Sequence, residues 1–235
     1  MDLQRLNINK IKAMSVHVFT ASGLVFGFLG LLATIDGNFV GAVFYLAFAL
    51  LIDGVDGTLA RRYNVKDHTP NIDGIILDNI IDFFTYVIVP SLMIYKFNFI
   101  DESFKLPIAC LVVLVSCYTF INKNLKTNDY YFTGFPATWN IVVLYFYLLD
   151  SSQLANLLAI LFLSVLTFIP IKFTHPLRVV YLRKTTIFMV FLWCVTTISM
   201  LLSSVESKQV FYLWSVINLY FLLISINRTF LTKNT

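Results

Sequence analysis

The sequence predicts an all-α fold: a polytopic integral membrane helix bundle of about eight transmembrane helices, with both termini in the cytoplasm. Three observations predict it. Of 235 residues, 58% are hydrophobic and only 13% are charged, with a mean hydropathy of +0.79; a soluble domain carries about a quarter charged residues. The apolar residues gather into long runs. The basic residues sit in short loops between those runs, and unevenly.

A helix needs roughly 20 apolar residues to cross a bilayer. Eight stretches are candidates, in order about 14–34, 39–61, 75–96, 106–122, 134–149, 154–171, 186–204 and 210–227. The first follows MDLQRLNINKIK, a polar and basic opening that reads as a cytoplasmic N-terminal segment, 1–13, rather than a cleavable signal. Gly23 and Gly27 give this span a GxxxG spacing, for close helix packing or for a dimer seam. The second span ends in DGVDGTLARR, and the third opens after Gly74. The fourth holds Cys110 and Cys117, and Cys194 lies in the seventh. Three cysteines inside apolar runs read as packing residues, not as a disulfide framework. The fifth and sixth stretches are short, as tilted or partial spans would be. The seventh and eighth carry Trp193 and Trp214, read as packing or lipid-facing residues.

Charge orients the bundle. With the N-terminus in the cytoplasm and eight crossings, the outer segments hold Lys96, Lys105 and Lys208, and the other fourteen of the 17 Lys and Arg fall inside. That bias follows the positive-inside rule and supports an even number of spans. The net charge of +4 lies in these loops, so nucleic acid is not a partner. The chain reads as a single membrane domain, 1–235, whose chemistry lies in a motif at 53–82.

Within that motif, Asp53 and Asp56 close the second span, and Asp78 and Asp82 open the third. Spacings of i, i+3 and i, i+4 put each pair on one helix face. Taking the cytoplasmic boundaries near residues 61 and 74, the 1.5 Å rise puts Asp56 and Asp78 about 6–7 Å deep and Asp53 and Asp82 about 12 Å deep. Antiparallel neighbours would level Asp56 with Asp78 and Asp53 with Asp82, so four carboxylates converge near the cytoplasmic interface. Desolvation and mutual repulsion oppose their ionisation without a counter-charge. Mg²⁺ or Mn²⁺ suits an all-oxygen donor set, and four Asp suffice for two ions about 4 Å apart, a spacing that clamps attacking and leaving oxygens in phosphoryl transfer. Gly57 and Ala60 leave room for a ligand, and Arg61 is placed to pair with phosphate. Structural ion pairing and an ion-coupled transport pathway are the two other readings of such aspartates.

The pattern D-x-x-D-G-x-x-A-R…G-x-x-x-D-x-x-x-D, here Asp53, Asp56, Gly57, Ala60, Arg61, Gly74, Asp78 and Asp82, resembles the signature of the CDP-alcohol phosphotransferases. The twelve residues between Arg61 and Gly74 are more than the family usually has. That longer gap, the extra spans, and the stretches HVFTASG (17–23), FTGFPATWN (132–140) and FTHPLRV (173–179) resemble the family's bacterial phosphatidylcholine synthase branch. The resemblance implies metal ligation by Asp53, Asp56, Asp78 and Asp82, with Asp82 also the catalytic base. It implies donor contacts from Gly57, Ala60, Arg61 and Gly74, and from Thr20 in the first span, where a hydroxyl bonding back along its own helix is the plainer reading. The substrates would be CDP-diacylglycerol and choline, the cofactor Mn²⁺ or Mg²⁺ as two ions, the products phosphatidylcholine and CMP. The setting would be the bacterial inner membrane with the site near its cytoplasmic face, among membrane lipids, in a homodimer.

Choline's fixed positive charge calls for aromatic faces. Tyr86, one turn beyond Asp82, and Trp139 are the candidates for that pocket, with ordinary packing the alternative for each. Tyr130 and Tyr131 read as interfacial anchors. His17 reads as a donor contact on the resemblance, and His175 as a loop residue at headgroup level. Lys172, Arg178, Arg183 and Lys184 read as topology-setting charges touching anionic lipid, or as the site of a phosphorylated acceptor such as glycerol phosphate or an inositol phosphate.

Overall fold

The computed structural model describes residues 2–122, 131–174, 182–203 and 207–231. Lys123, Lys126, Tyr130, His175, Arg178 and Lys233 lie outside the described residues. The chain is helical nearly throughout: α1 (Asp2–Ile35), α2 (Phe39–Arg62), the single turn α3 (Val65–His68), α4 (Gly74–Phe83), α5 (Val89–Lys96), α6 (Glu102–Ile121), α7 (Trp139–Leu149), α8 (Gln153–Leu166), α9 (Arg183–Leu202) and α10 (Lys208–Ile226). Two short strands, β1 (Tyr131–Thr133) and β2 (Lys172–Thr174), flank the α7–α8 pair. By packing, the chain divides into two compact units, residues 1–113 with 138–144, and residues 114–137 with 145–235.

In the first unit α1 is the central helix, packed along α2, α3, α4 and α5. Residues 2–13, the expected N-terminal segment, form the start of this helix, which runs from Asp2. Gly37, at φ +75°, turns the chain into α2, whose N-terminus is capped by Asn38 accepting from Gly41 N at 2.9 Å. Arg61 and Arg62 lie in the last turn of α2, where positive charge meets the helix dipole. Gly23 and Gly27 serve contacts within the chain. A Cβ on Gly23 would stand 3.3 Å from Ile81 Cγ2 and 3.7 Å from Ile52 Cγ2, and one on Gly27 only 2.7 Å from Thr85 Cγ2. The small residues of α1 therefore bring α2 and the helix carrying Asp78 and Asp82 against one common helix.

α4 runs on into α5 through five residues of π-helix, Phe84–Ile88, where Val89 N–H reaches Phe84 O. Pro90 explains the widening. It has no N–H for the carbonyl four residues back, that of Tyr86, and its ring crowds that oxygen. At the start of α6, Asp101 Oδ1 accepts from Ser103 N at 3.0 Å, a bond that holds this exposed carboxyl below its ordinary pKa.

Among the described residues six helices are long and apolar enough to cross a membrane: Ile8–Ile35, Phe39–Arg62, Gly74–Lys96, Glu102–Ile121, Arg183–Leu202 and Lys208–Phe230. The expected fifth and sixth spans are α7, of 11 residues, and α8, of 14. At 1.5 Å per residue they reach about 16 and 21 Å, short of a hydrocarbon core of about 30 Å. Backbone chemistry shortens them. Gly134 at φ +83° and Pro136 keep the helix from starting before Trp139, and Pro170 follows the end of α8. The irregular backbone is satisfied locally: β1 pairs antiparallel with β2, Phe132 opposite Phe173, while Gly134 N–H bonds to Ile171 O at 2.8 Å and Phe135 N–H to Leu166 O at 3.2 Å. The ribbon returns the chain after α8 to where it stood before α7. A short pair that turns back and a pair that crosses leave the same parity, so the charge bias is equally compatible with six spans or eight.

In the second unit α10 and the π-helical turn that follows it, Asn227–Leu231, hold the ribbon: Thr174 N–H bonds to Ser225 Oγ at 3.2 Å, Lys172 N–H to Thr229 Oγ1 at 2.9 Å, and Arg228 stacks over Tyr131 with its guanidinium carbon 5.7 Å from the ring centre. Trp193 and Trp214 pack here with their polar ends satisfied: Trp193 Nε1 donates to Tyr145 Oη at 3.0 Å and Trp214 Nε1 to Thr197 Oγ1 at 3.1 Å. The Tyr145 hydroxyl in turn donates to Asn218 Oδ1.

Candidate functional site

The motif helices converge as their spacing requires. Asp53 of α2 and Asp78 and Asp82 of α4 each bring one carboxylate oxygen within 4.8 Å of the other two, and all three are half-buried. Asp56 is buried at 6% exposure and falls outside this group of three. Equal depth alone pairs Asp56 with Asp78, but helix rotation intervenes. A three-residue step turns about 300°, so Asp56 points some 60° away from Asp53, whereas Asp78 and Asp82 are offset by about 40° and both reach toward one partner.

The start of α4 is fixed from both sides. The Asp73 carboxylate caps it, accepting from Ile75 N at 2.9 Å and Ile76 N at 3.1 Å. The long connection from α2 is tied to α1: His17 Nε2 lies 3.0 Å from Thr69 Oγ1, both residues being buried, and Thr69 also donates to Val65 O at 2.9 Å. Gly74 sits against the same histidine, where a Cβ would stand 3.4 Å from His17 Cε1. The twelve-residue gap is therefore an ordered element, a helical turn and an N-cap latched to the first helix.

The other motif positions are placed as follows. Gly57 lies one residue beyond Asp56 on α2 and is partly exposed. Ala60 packs on the cluster of Ala13, Val16 and Val65, where α1, α2 and α3 meet. Arg61 is exposed and its Nη2 donates to Thr58 Oγ1 at 3.2 Å. Arg62 is exposed too, its guanidinium carbon 6.0 Å from the Tyr63 ring centre. Thr20 is buried at 8% exposure on α1. Trp139 is fully enclosed at the start of α7.

Tyr86, a candidate by its spacing from Asp82, makes a contact that spacing did not foretell. Its hydroxyl donates to Asp53 Oδ2 at 2.6 Å, crossing from the π-helical turn to α2. The aromatic candidate for a cation pocket is thus joined to a motif carboxylate. The sequence signal was Pro90, a proline inside an apolar span four residues after Tyr86.

The donor set fits a small divalent cation. At 4.8 Å and an effective dielectric near 20, each pair of carboxylates repels by on the order of 3 kcal/mol, and an oxygen-seeking cation between them converts that repulsion into binding. Asp53, Asp78 and Asp82 would hold one ion.

A family model for the CDP-alcohol phosphatidyltransferases matches residues 14–220. The chain is 42% identical over 197 residues to a protein of Pseudomonas aeruginosa named phosphatidylcholine synthase, covering 84% of this chain and 83% of that one. It is 37% identical over 229 residues to a phosphatidylcholine synthase of Borreliella burgdorferi, covering 97% and 98% of the two chains. A third relative of that name, from Rhizobium johnstonii, is 37% identical over 214 residues, covering 91% and 87%.

Proposed function

Because the chain belongs to the CDP-alcohol phosphatidyltransferase family, we propose that it is a phosphatidylcholine synthase, transferring the phosphatidyl group of CDP-diacylglycerol to choline in the bacterial inner membrane. The observation that carries this is the meeting of Asp53, Asp78 and Asp82 within 4.8 Å in a multi-pass membrane chain alike over nearly its full length to proteins of that name. The site lies near the cytoplasmic face, where water-soluble choline and CMP exchange and the lipid donor enters from the leaflet.

Asp53, Asp56, Asp78 and Asp82 would hold two ions of Mn²⁺ or Mg²⁺. When bound, these cations neutralise charge on the donor's pyrophosphate oxygens. Gly57 and Ala60 keep α2 free of bulk beside the donor, Arg61 pairs with phosphate, and Gly74 and Thr20 contact the CDP part. Asp82 takes the proton of the choline hydroxyl. The choline oxygen then forms a bond to the phosphorus that carries diacylglycerol, the bond from that phosphorus to the oxygen bridging to CMP breaks, and CMP leaves with the electron pair. The Tyr86 ring, already tethered at Asp53, and Trp139 supply aromatic faces for the trimethylammonium group.

The test is purified protein in lipid nanodiscs with CDP-diacylglycerol, Mn²⁺ and labelled choline. Choline-dependent CMP release with labelled phosphatidylcholine is expected. Incorporation of serine, glycerol phosphate or an inositol species instead of choline would overturn the acceptor while keeping the chemistry. Ion flux without CMP release would overturn both.

A further inference from the structure

The bond from Tyr86 to Asp53, at 2.6 Å, has the length of a charge-assisted hydroxyl–carboxylate bond, and both ends are withdrawn from solvent: Tyr86 is 8% exposed and Asp53 half-buried. We propose that Tyr86 is the positioning residue for Asp53: its hydroxyl engages Oδ2 and leaves the second oxygen directed at the cation shared with Asp78 and Asp82. This rests on reading the three carboxylates as a cation site.

The physical case is one of like charges. Asp53 stands within 4.8 Å of two other carboxylates before any ion arrives. Unrestrained, it swings away from them. A lysine or arginine would hold it, but that fixed positive charge would compete with the divalent ion for the same oxygens. A tyrosine hydroxyl supplies a strong, charge-assisted bond with no formal charge. The backbone is shaped for this contact. Tyr86 lies in the π-helical turn whose carbonyl ladder Pro90 interrupts, and Thr85 and Phe84 of that turn press on Gly27 of α1. The hydroxyl is thereby carried on a rigid element rather than on a loop. Its role is separable from the ring's, since phenylalanine keeps the aromatic face and removes only the donor.

Mn²⁺ binding to chelator-treated, purified protein, read by electron paramagnetic resonance, tests the proposal. Tyr86→Phe should bind Mn²⁺ about ten- to a hundred-fold more weakly. CMP release by the variant should climb toward the wild-type rate as Mn²⁺ is raised. Equal or tighter Mn²⁺ binding by Tyr86→Phe, or a deficit that added Mn²⁺ does not relieve, overturns the positioning role. In an Asp53→Asn background, the Tyr86→Phe change should have no further effect on Mn²⁺ binding; an undiminished effect there also overturns it. Wild-type protein that binds no Mn²⁺ sinks the cation reading itself. Loss of choline dependence with Mn²⁺ binding intact counts only against the acceptor.

Discussion

His17 Nε2 and Thr69 Oγ1 lie 3.0 Å apart across 52 positions of sequence, joining the first helix to the connection between the two halves of the aspartate motif. Both residues are buried, and Gly74 rests against the same imidazole. Thr69→Val removes the hydroxyl while keeping the shape, leaving a buried ring nitrogen without its partner. A loss of about 1–3 kcal/mol is expected. It should appear as a lower unfolding temperature together with a several-fold higher KM for CDP-diacylglycerol, because the start of α4 is no longer held. Unchanged KM with lowered stability would confine the latch to folding.

Asp78→Asn and Asp82→Asn preserve volume and remove charge from the three-carboxylate group. Each should cut CMP formation at least about 100-fold, while the protein still inserts and purifies as a folded species. Turnover near wild type in either variant would count against the mechanism.

Chelation should abolish CMP release, and Mn²⁺ or Mg²⁺ should restore it. The metal-free protein should also melt earlier, since removing a ligand present at 100 times its dissociation constant forfeits about 2.7 kcal/mol of stabilisation. A melting curve indifferent to chelator would mean that the carboxylates bind no ion under those conditions.

Gly27→Ala and Gly37→Ala make a matched pair. At Gly27 a Cβ would meet Thr85 Cγ2 at 2.7 Å and Phe84 Cδ1 at 2.9 Å, so the π-helical turn must shift, at a cost of about 1–3 kcal/mol. At Gly37 nothing lies within 4 Å, but φ is +75°, which strains alanine by about 1–2 kcal/mol. Both should lower stability. Only Gly27→Ala should also reduce activity, because its neighbours flank Tyr86, whereas Gly37 precedes α2, whose start lies about 21 Å along the helix from Asp53. Equal activity losses would dissociate the turn from the site.

Helix periodicity made the motif legible. Asp78 and Asp82 share a face at any i, i+4 spacing, and Asp53 at the end of an apolar run has few partners but its own kind and a cation. Composition likewise announced a membrane bundle, and Asp73 before Gly74 is a capping signal that local chemistry honours. These properties depend on neighbours within a turn or two and need no tertiary contact. The folded chain adds what depends on rotation and on contacts between distant segments. It brought carboxylate oxygens of Asp53, Asp78 and Asp82 within 4.8 Å of one another. It latched a twelve-residue connection to His17, widened a helix at Pro90 so that a tyrosine meets an aspartate of another helix, and made α7 and α8 a short pair closed by a two-stranded ribbon. Spacing along one helix fixes which residues share a face, but not which way that face turns. The turning is set by where the small residues of α1 let its neighbours approach.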